Sequence, residues 1–132
     1  MRSLIKKKNN FHIISQIRYY STPTIHKHLI LTYKYVDNAL EKRVPLRQQH
    51  LEYINSFSKG GKLVYGGATN QFGSDQPTGA LIVFKDTTEE EAKQIATNDP
   101  YVTGSGQAPG IVTSWEIKEW NVVVGSNIKE KK

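Results

Sequence analysis

Apolar residues change their spacing several times along this chain, and each change marks an element. Residues 28–36 (His-Leu-Ile-Leu-Thr-Tyr-Lys-Tyr-Val) are mostly aliphatic, β-branched or aromatic and predict a strand. Over residues 45–58 the spacing lengthens, and Leu46, Leu51, Ile54 and Phe57 are expected near one another on the buried side of a helix. Pro45 suits its first turn, where the missing N–H costs nothing. Gly60-Gly61 ends the helix, because glycine takes the left-handed conformation of a C-cap. Lys62 to Gly66 reads as a short second strand, and Gly67 to Thr78, with Asn, Gly, Ser, Asp and Pro, as a long polar hairpin loop. Gly79 to Lys85 is a third strand. Asp86 to Glu91 offers two overlapping capping boxes, Asp86 with Glu89 and Thr88 with Glu91. Its acids suit the N-terminus of a second helix, which Pro100 ends by about Asn98. A Gly/Ser/Pro loop over 103–110 leads to a last strand from Ile111.

The order β-α-β-β-α-β is that of a ferredoxin-like α+β fold, an antiparallel sheet with two helices on one face. Connection rules put the first and third strands in its centre. Ala80, Ile82 and Phe84 alternate with Leu81 and Val83, so both faces of the third strand want cover. Two helices cover one face only, and a second copy of the chain is the simplest cover for the other. In the last strand Trp115 and Ile117 are odd-numbered, whereas Trp120, Val122 and Val124 are even-numbered. That change of parity implies a break near Lys118–Glu119: either an edge bulge, or a segment that leaves its own sheet to pair with a partner's.

At 132 residues and 37% apolar composition, one globular domain is expected. The charge is unevenly placed. Met1 to His28 holds Arg2, Lys6, Lys7, Lys8, Arg18 and Lys27 and no acid, so the whole net +6 lies there and the rest of the chain is neutral. Such a segment is expected to be a mitochondrial transit peptide over residues 1–20. Arg18-Tyr19-Tyr20-Ser21 resembles the matrix-peptidase pattern of Arg-X-Tyr before Ser, with 21–27 as a linker. The rival reading is a basic arm for nucleic acid. A secretory signal would need an apolar stretch of roughly 7–15 residues, which is missing, and no membrane span is present. The neutral remainder offers no basic groove for single-stranded nucleic acid.

With no cysteine, thiol catalysis, disulfides and thiolate metal sites are excluded. His12, His26 and His28 have no ligand spacing, so neither a metal nor a cofactor is expected. Gly104-Ser105-Gly106-Gln107-Ala108-Pro109-Gly110 leads into a strand, not a helix, which excludes a phosphate cradle and leaves a rim or lid. Two segments carry candidate chemistry. Arg47 and His50 lie three apart on one helix face, and Asp99, fixed beside Pro100, supplies a carboxylate. Imidazole and carboxylate are the minimum parts of a general acid–base site. A carboxylate at a helix C-terminus opposes the macrodipole, so helix stability does not explain Asp99. The alternatives are a structural histidine, an Asp-Pro turn, and an Arg47 that pairs with Glu52 or solvent. Tyr53, Tyr65 and Tyr101 could line a pocket for a ligand or serve core and interface.

The spacing Arg47-x-x-His50-Leu51-x-Tyr53-Ile54, the strand after Gly60-Gly61, Gly79-Ala80-Leu81-Ile82-Val83-Phe84, Asp99-Pro100-Tyr101 and a last strand bearing Trp together resemble the YCII-related family. The likeness spans residues 28 to about 124 and implies a domain over 28–125, followed by a frayed tail at 126–132. It also implies a dimeric α+β barrel with a cleft in which His50 and Asp99 are catalytic, and from their own chemistry Arg47, Tyr65 and Tyr101 are the residues expected to bind substrate there. Few members are similar to enzymes of known activity, a chlorohydroxyhydroquinone dechlorinase being one; one His and one Asp supply proton transfer, which suits isomerase, lyase or dehalogenase-like chemistry on a small anionic or carbonyl metabolite. The other reading is a non-catalytic dimeric module that binds a metabolite or a protein.

Overall fold

A computed structural model of the chain describes residues 24–126 and 128. The expected transit segment 1–20 and most of the C-terminal tail lie outside the described residues. Every described helix and strand falls within one unit, His26–Val122. In chain order they are β1 (His26–Tyr35), α1 (Ala39–Lys42), α2 (Val44–Lys59), β2 (Leu63–Thr69), β3 (Gly79–Lys85), α3 (Glu89–Thr97), α4 (Pro100–Thr103) and β4 (Val112–Val122). The sheet is antiparallel with the order β2-β3-β1-β4. The first and third strands are therefore central, as expected, and the fold is ferredoxin-like.

Alternation along the central strands separates the two faces. Leu31, Tyr33 and Tyr35 of β1 pack with Ala80, Ile82 and Phe84 of β3, and with Leu46 of α2 and Ile95 and Ala96 of α3, in one buried cluster. The register pairs Leu31 with Ile82 and Thr32 with Leu81. Thr32, Leu81 and Val83 therefore lie on the face without helices, beside Trp120, which pairs with His28. Trp120 and Leu81 stay substantially exposed there.

The apparent break in β4 has another origin. Pairing with β1 runs without interruption from Ser114 to Val122, so the strand stays in its own sheet. Trp115 and Ile117 join the core under the helices, whereas Trp120 meets His28 edge-on, with ring centroids 6.1 Å apart, on the opposite face. The apolar positions change face; the backbone does not slip. The actual irregularity falls between Lys34 and Tyr35, opposite Val112 to Ser114.

Local signals were met with small shifts. Thr88 and Glu91 form the capping box reciprocally, while Asp86 takes a left-handed φ of 49° and caps nothing. Gly60 keeps right-handed dihedrals, and the left-handed residue after α2 is Gly61. β2 continues through Thr69, which pairs with Gly79, so the hairpin connection is 70–78 and shorter than expected. The short helices α1 and α4 carry no apolar periodicity long enough to read.

Candidate active site

Three elements converge beneath the N-terminal half of α2. That helix presents Arg47 and His50, β1 presents Tyr33 and Tyr35 from its core-facing side, and α4 opens with Asp99 and Tyr101. Asp99 is the N-cap of α4, not a terminus of α3. One side-chain oxygen, Oδ1, accepts the Tyr101 backbone N–H at 2.9 Å. This corrects the sequence-based argument: the carboxylate sits at a helix start, where its charge is favourable.

The same oxygen takes a second bond, from His50 Nδ1 at 2.7 Å. The Tyr33 hydroxyl donates to Oδ2 at 2.8 Å. Asp99 is completely buried, and three donors meet its two oxygens. A buried carboxylate demands such partners, since an unpaired charge costs far more than a lost hydrogen bond. The His50 ring lies flat on Tyr101, with centroids 3.6 Å apart and planes 1° from parallel. Arg47 Nη1 donates to the Tyr101 hydroxyl at 3.1 Å, and Tyr35 meets the Tyr101 ring edge-on at 6.0 Å.

This arrangement fixes the proton inventory of the imidazole. A carboxylate only accepts, so Nδ1 carries the hydrogen in the bond to Asp99 and Nε2 is left without a partner among the described residues. His50 retains 9% of its surface exposed, whereas Asp99 retains none. Of the two, the imidazole alone reaches the surface, and the carboxylate orients it from beneath. Burial, then the charge of Asp99 and the bond to it, push the Tyr33 hydroxyl far above its ordinary value, so it remains a donor. Burial, Tyr101 and Asp99 likewise raise Tyr35, with the guanidiniums of Arg43 and Arg47 pulling the other way. Tyr53, which donates to the Ile95 carbonyl at 2.9 Å and ties α2 to α3, is pushed up to about 12 by burial and by Asp99.

The structure thus brings together four of the five residues read from the sequence: His50, Asp99, Arg47 and Tyr101. Tyr65 does not join them. It pairs with Val83 after an irregularity at Val64, points to the helix-free face, and is 70% exposed. Glu52, offered as a partner for Arg47, accepts from Gln48 instead, at 3.3 Å. Sequence reasoning missed Tyr33. Its signal was present, since it shares the parity of Leu31 on a central strand and a buried hydroxyl needs a partner.

The sheet order and one-sided helix layer define a ferredoxin-like α+β protein, here with a buried histidine–carboxylate pair. Residues 27–121 match the YCII-related domain, and the chain belongs to that family. An uncharacterized protein of Haemophilus influenzae is 29% identical over 82 residues, covering 58% of this chain and 84% of the relative. Among solved structures, the chain is similar to 5-chloro-2-hydroxyhydroquinone dehydrochlorinase (TftG) from Burkholderia phenoliruptrix AC1100, in complex with 2,5-dihydroxybenzoquinone. That match has a TM-score of 0.58 and 21% identity, over 70% of this chain and 92% of the other. Protein SO0527 of Shewanella oneidensis gives a TM-score of 0.46 at 12% identity, over 79% of this chain and 100% of the other. The dehydrochlorinase likeness agrees with the ferredoxin-like fold read from the sequence.

Proposed function

We propose that this protein is a small acid–base enzyme of the isomerase, lyase or dehalogenase type, acting on a small anionic or carbonyl metabolite. The observation that carries this reading is the 2.7 Å bond between His50 Nδ1 and the fully buried Asp99 carboxylate. It fixes the tautomer that leaves Nε2 free to take or return a proton, and its length lies within the reach of about 2.6–3.2 Å that a catalytic pair needs. His50 is the general acid/base, Asp99 its orienting group and Arg47 the anchor for a substrate anion. Removal of a proton next to a carbonyl, followed by its return or by loss of a leaving group, needs nothing more from the protein. That a protein of the same fold is a dehydrochlorinase, in complex with a dihydroxybenzoquinone, supports a small-ligand reading of this chain.

The proposal includes a homodimer through the helix-free face, supported by the exposed Leu81 and Trp120. It includes import to the mitochondrial matrix, supported by the acid-free segment before the matched domain and by Arg18-Tyr19-Tyr20-Ser21. A second reading, a non-catalytic binding module, draws on the complete burial of Asp99 and its use as an N-cap. A thermal-shift screen of metabolites on residues 21–132 tests the first reading, since a ligand at 100 times its Kd stabilises by about 2.7 kcal/mol. A hit that is turned over supports the enzyme. Hits that bind unchanged favour the module. N-terminal sequencing of the organelle-purified protein tests cleavage near Tyr20, and an intact Met1 contradicts it.

A further inference from the structure

The stripe of α2 that holds His50 and Arg47 continues toward the start of the helix, where Arg43 has no role so far. Arg43, Arg47 and His50 are spaced by four and three residues and so form one stripe. Beside it an open groove of about 660 Å³ is lined by the apolar Leu40, Val44 and Leu51, the cationic Arg43 and Arg47, and Gln48 and Glu52. That volume lies within the range of about 300–1,000 Å³ usual for small-molecule sites. Leu40, Val44 and Leu51 are exposed apolar side chains. Arg43 and Arg47 are each partly buried. Among the described residues neither guanidinium meets a carboxylate, and Glu52, which also lines the groove, is engaged by Gln48. A partly buried guanidinium with five donors and no anion is an incomplete ion pair.

We propose that this groove binds an organic carboxylate: a small molecule whose anionic head is clamped by Arg43 and Arg47 and whose apolar body lies along Leu40, Val44 and Leu51. Each guanidinium is a planar fork that matches a carboxylate, and the two arginines lie one turn apart. Arg47 also holds Tyr101, on which His50 stacks, so the head would bind next to the proton-transfer pair. The consequence for the substrate, that it is such a carboxylate, rests on the acid–base reading of His50 and Asp99; the groove itself does not.

The test is titration of the protein with octanoate, octanol and acetate, followed by calorimetry and by amide and methyl NMR. Octanoate should bind about tenfold or more tightly than octanol or acetate and shift the resonances of Leu40, Val44 and Leu51. Arg43→Gln, which keeps the backbone bonds to Ala39 and Leu46 and removes only the charge of a partly buried side chain, should weaken octanoate about tenfold with a native spectrum. Octanol binding as well as octanoate, or undiminished octanoate affinity in Arg43→Gln, overturns the proposal. His50→Gln separates the two claims, because it removes proton transfer and leaves the groove. Octanoate affinity within about twofold of the unaltered protein supports the groove whatever becomes of catalysis, and its loss in that variant overturns the assignment.

Discussion

Replacing Tyr33 by Phe removes one oxygen and nothing else from the centre of the protein. The ring still fills its place beside Leu31 and Tyr35, so no cavity term arises. What is lost is the 2.8 Å bond to Asp99 Oδ2. Hydrogen bonds to charged groups contribute about 1.5–3 kcal/mol. Two donors, His50 Nδ1 and the Tyr101 N–H, remain on Oδ1, so the carboxylate is weakened but not orphaned. A loss of about 2 kcal/mol follows. For a unit of about a hundred residues this lowers Tm by about 8 °C. Urea denaturation followed by circular dichroism measures it, and the slope with denaturant should not change, since no extra surface is exposed. In Asp99→Asn the same Tyr33→Phe change should cost much less, because its charged partner is gone. A loss below about 0.5 kcal/mol, equal in both backgrounds, would refute the claim that Tyr33 holds a buried charge.

Stability should also fall in alkali. The Tyr33, Tyr35 and Tyr53 hydroxyls are raised above their ordinary 10.0, so the unfolded chain releases these protons first. The stabilisation is complete below pH 10 and is lost as pH rises beyond it, through about 12 for Tyr53. Phenolate absorbance and melting temperature measured together check this, and ionisation of all seven tyrosines near pH 10 without unfolding contradicts it. Gly110→Ala should cost about 1–3 kcal/mol, because an added Cβ would press on the Val102 carbonyl oxygen beside the Ile111-to-Tyr101 backbone bond. Gly106→Ala, in open space, is the neutral control in the same melts. Light scattering on residues 21–132 should give a dimer that Leu81→Glu dissociates, and a monomer at micromolar concentration contradicts the proposed interface.

Much of this architecture can be read along the chain, for reasons that particular residues show. Leu46, Ile54 and Phe57 repeat at helical spacing and define α2, because one buried stripe is enough to stabilise a helix of that length, whereas Leu51, expected with them, turns outward and is 46% exposed, since five residues from Leu46 carry it off the stripe. Thr88 and Glu91 announce α3 through purely local bonds. The parity change in β4 was legible, but its cause was not. A face is defined only once the partner strand and the helix layer are known, and Trp120 lies on the side that α2 and α3 leave bare. The site followed the same rule. His50 and Asp99 could be named from residue type and position, yet their contact is a long-range event that no local pattern encodes. Tyr65 was misplaced because a register shift near Val64 carries it to the opposite face. Asp99 was misjudged because the single turn of α4 is too short to have a periodicity.

The central claim is that His50 and Asp99 act together on a ligand instead of serving only as a buried structural contact. Melting temperature and turnover of a screened ligand, measured on His50→Ala, Asp99→Asn and the double variant, test it most directly. The acid–base account predicts that each single variant abolishes turnover and that the double variant is no worse than either, since all three disable the same proton transfer. Each variant should remain folded, at a cost on the order of 1–3 kcal/mol for the broken buried bond. Turnover retained in His50→Ala or Asp99→Asn, with melting temperatures lowered by that amount, would contradict the account and leave the pair as the clamp that fastens α2 to the start of α4.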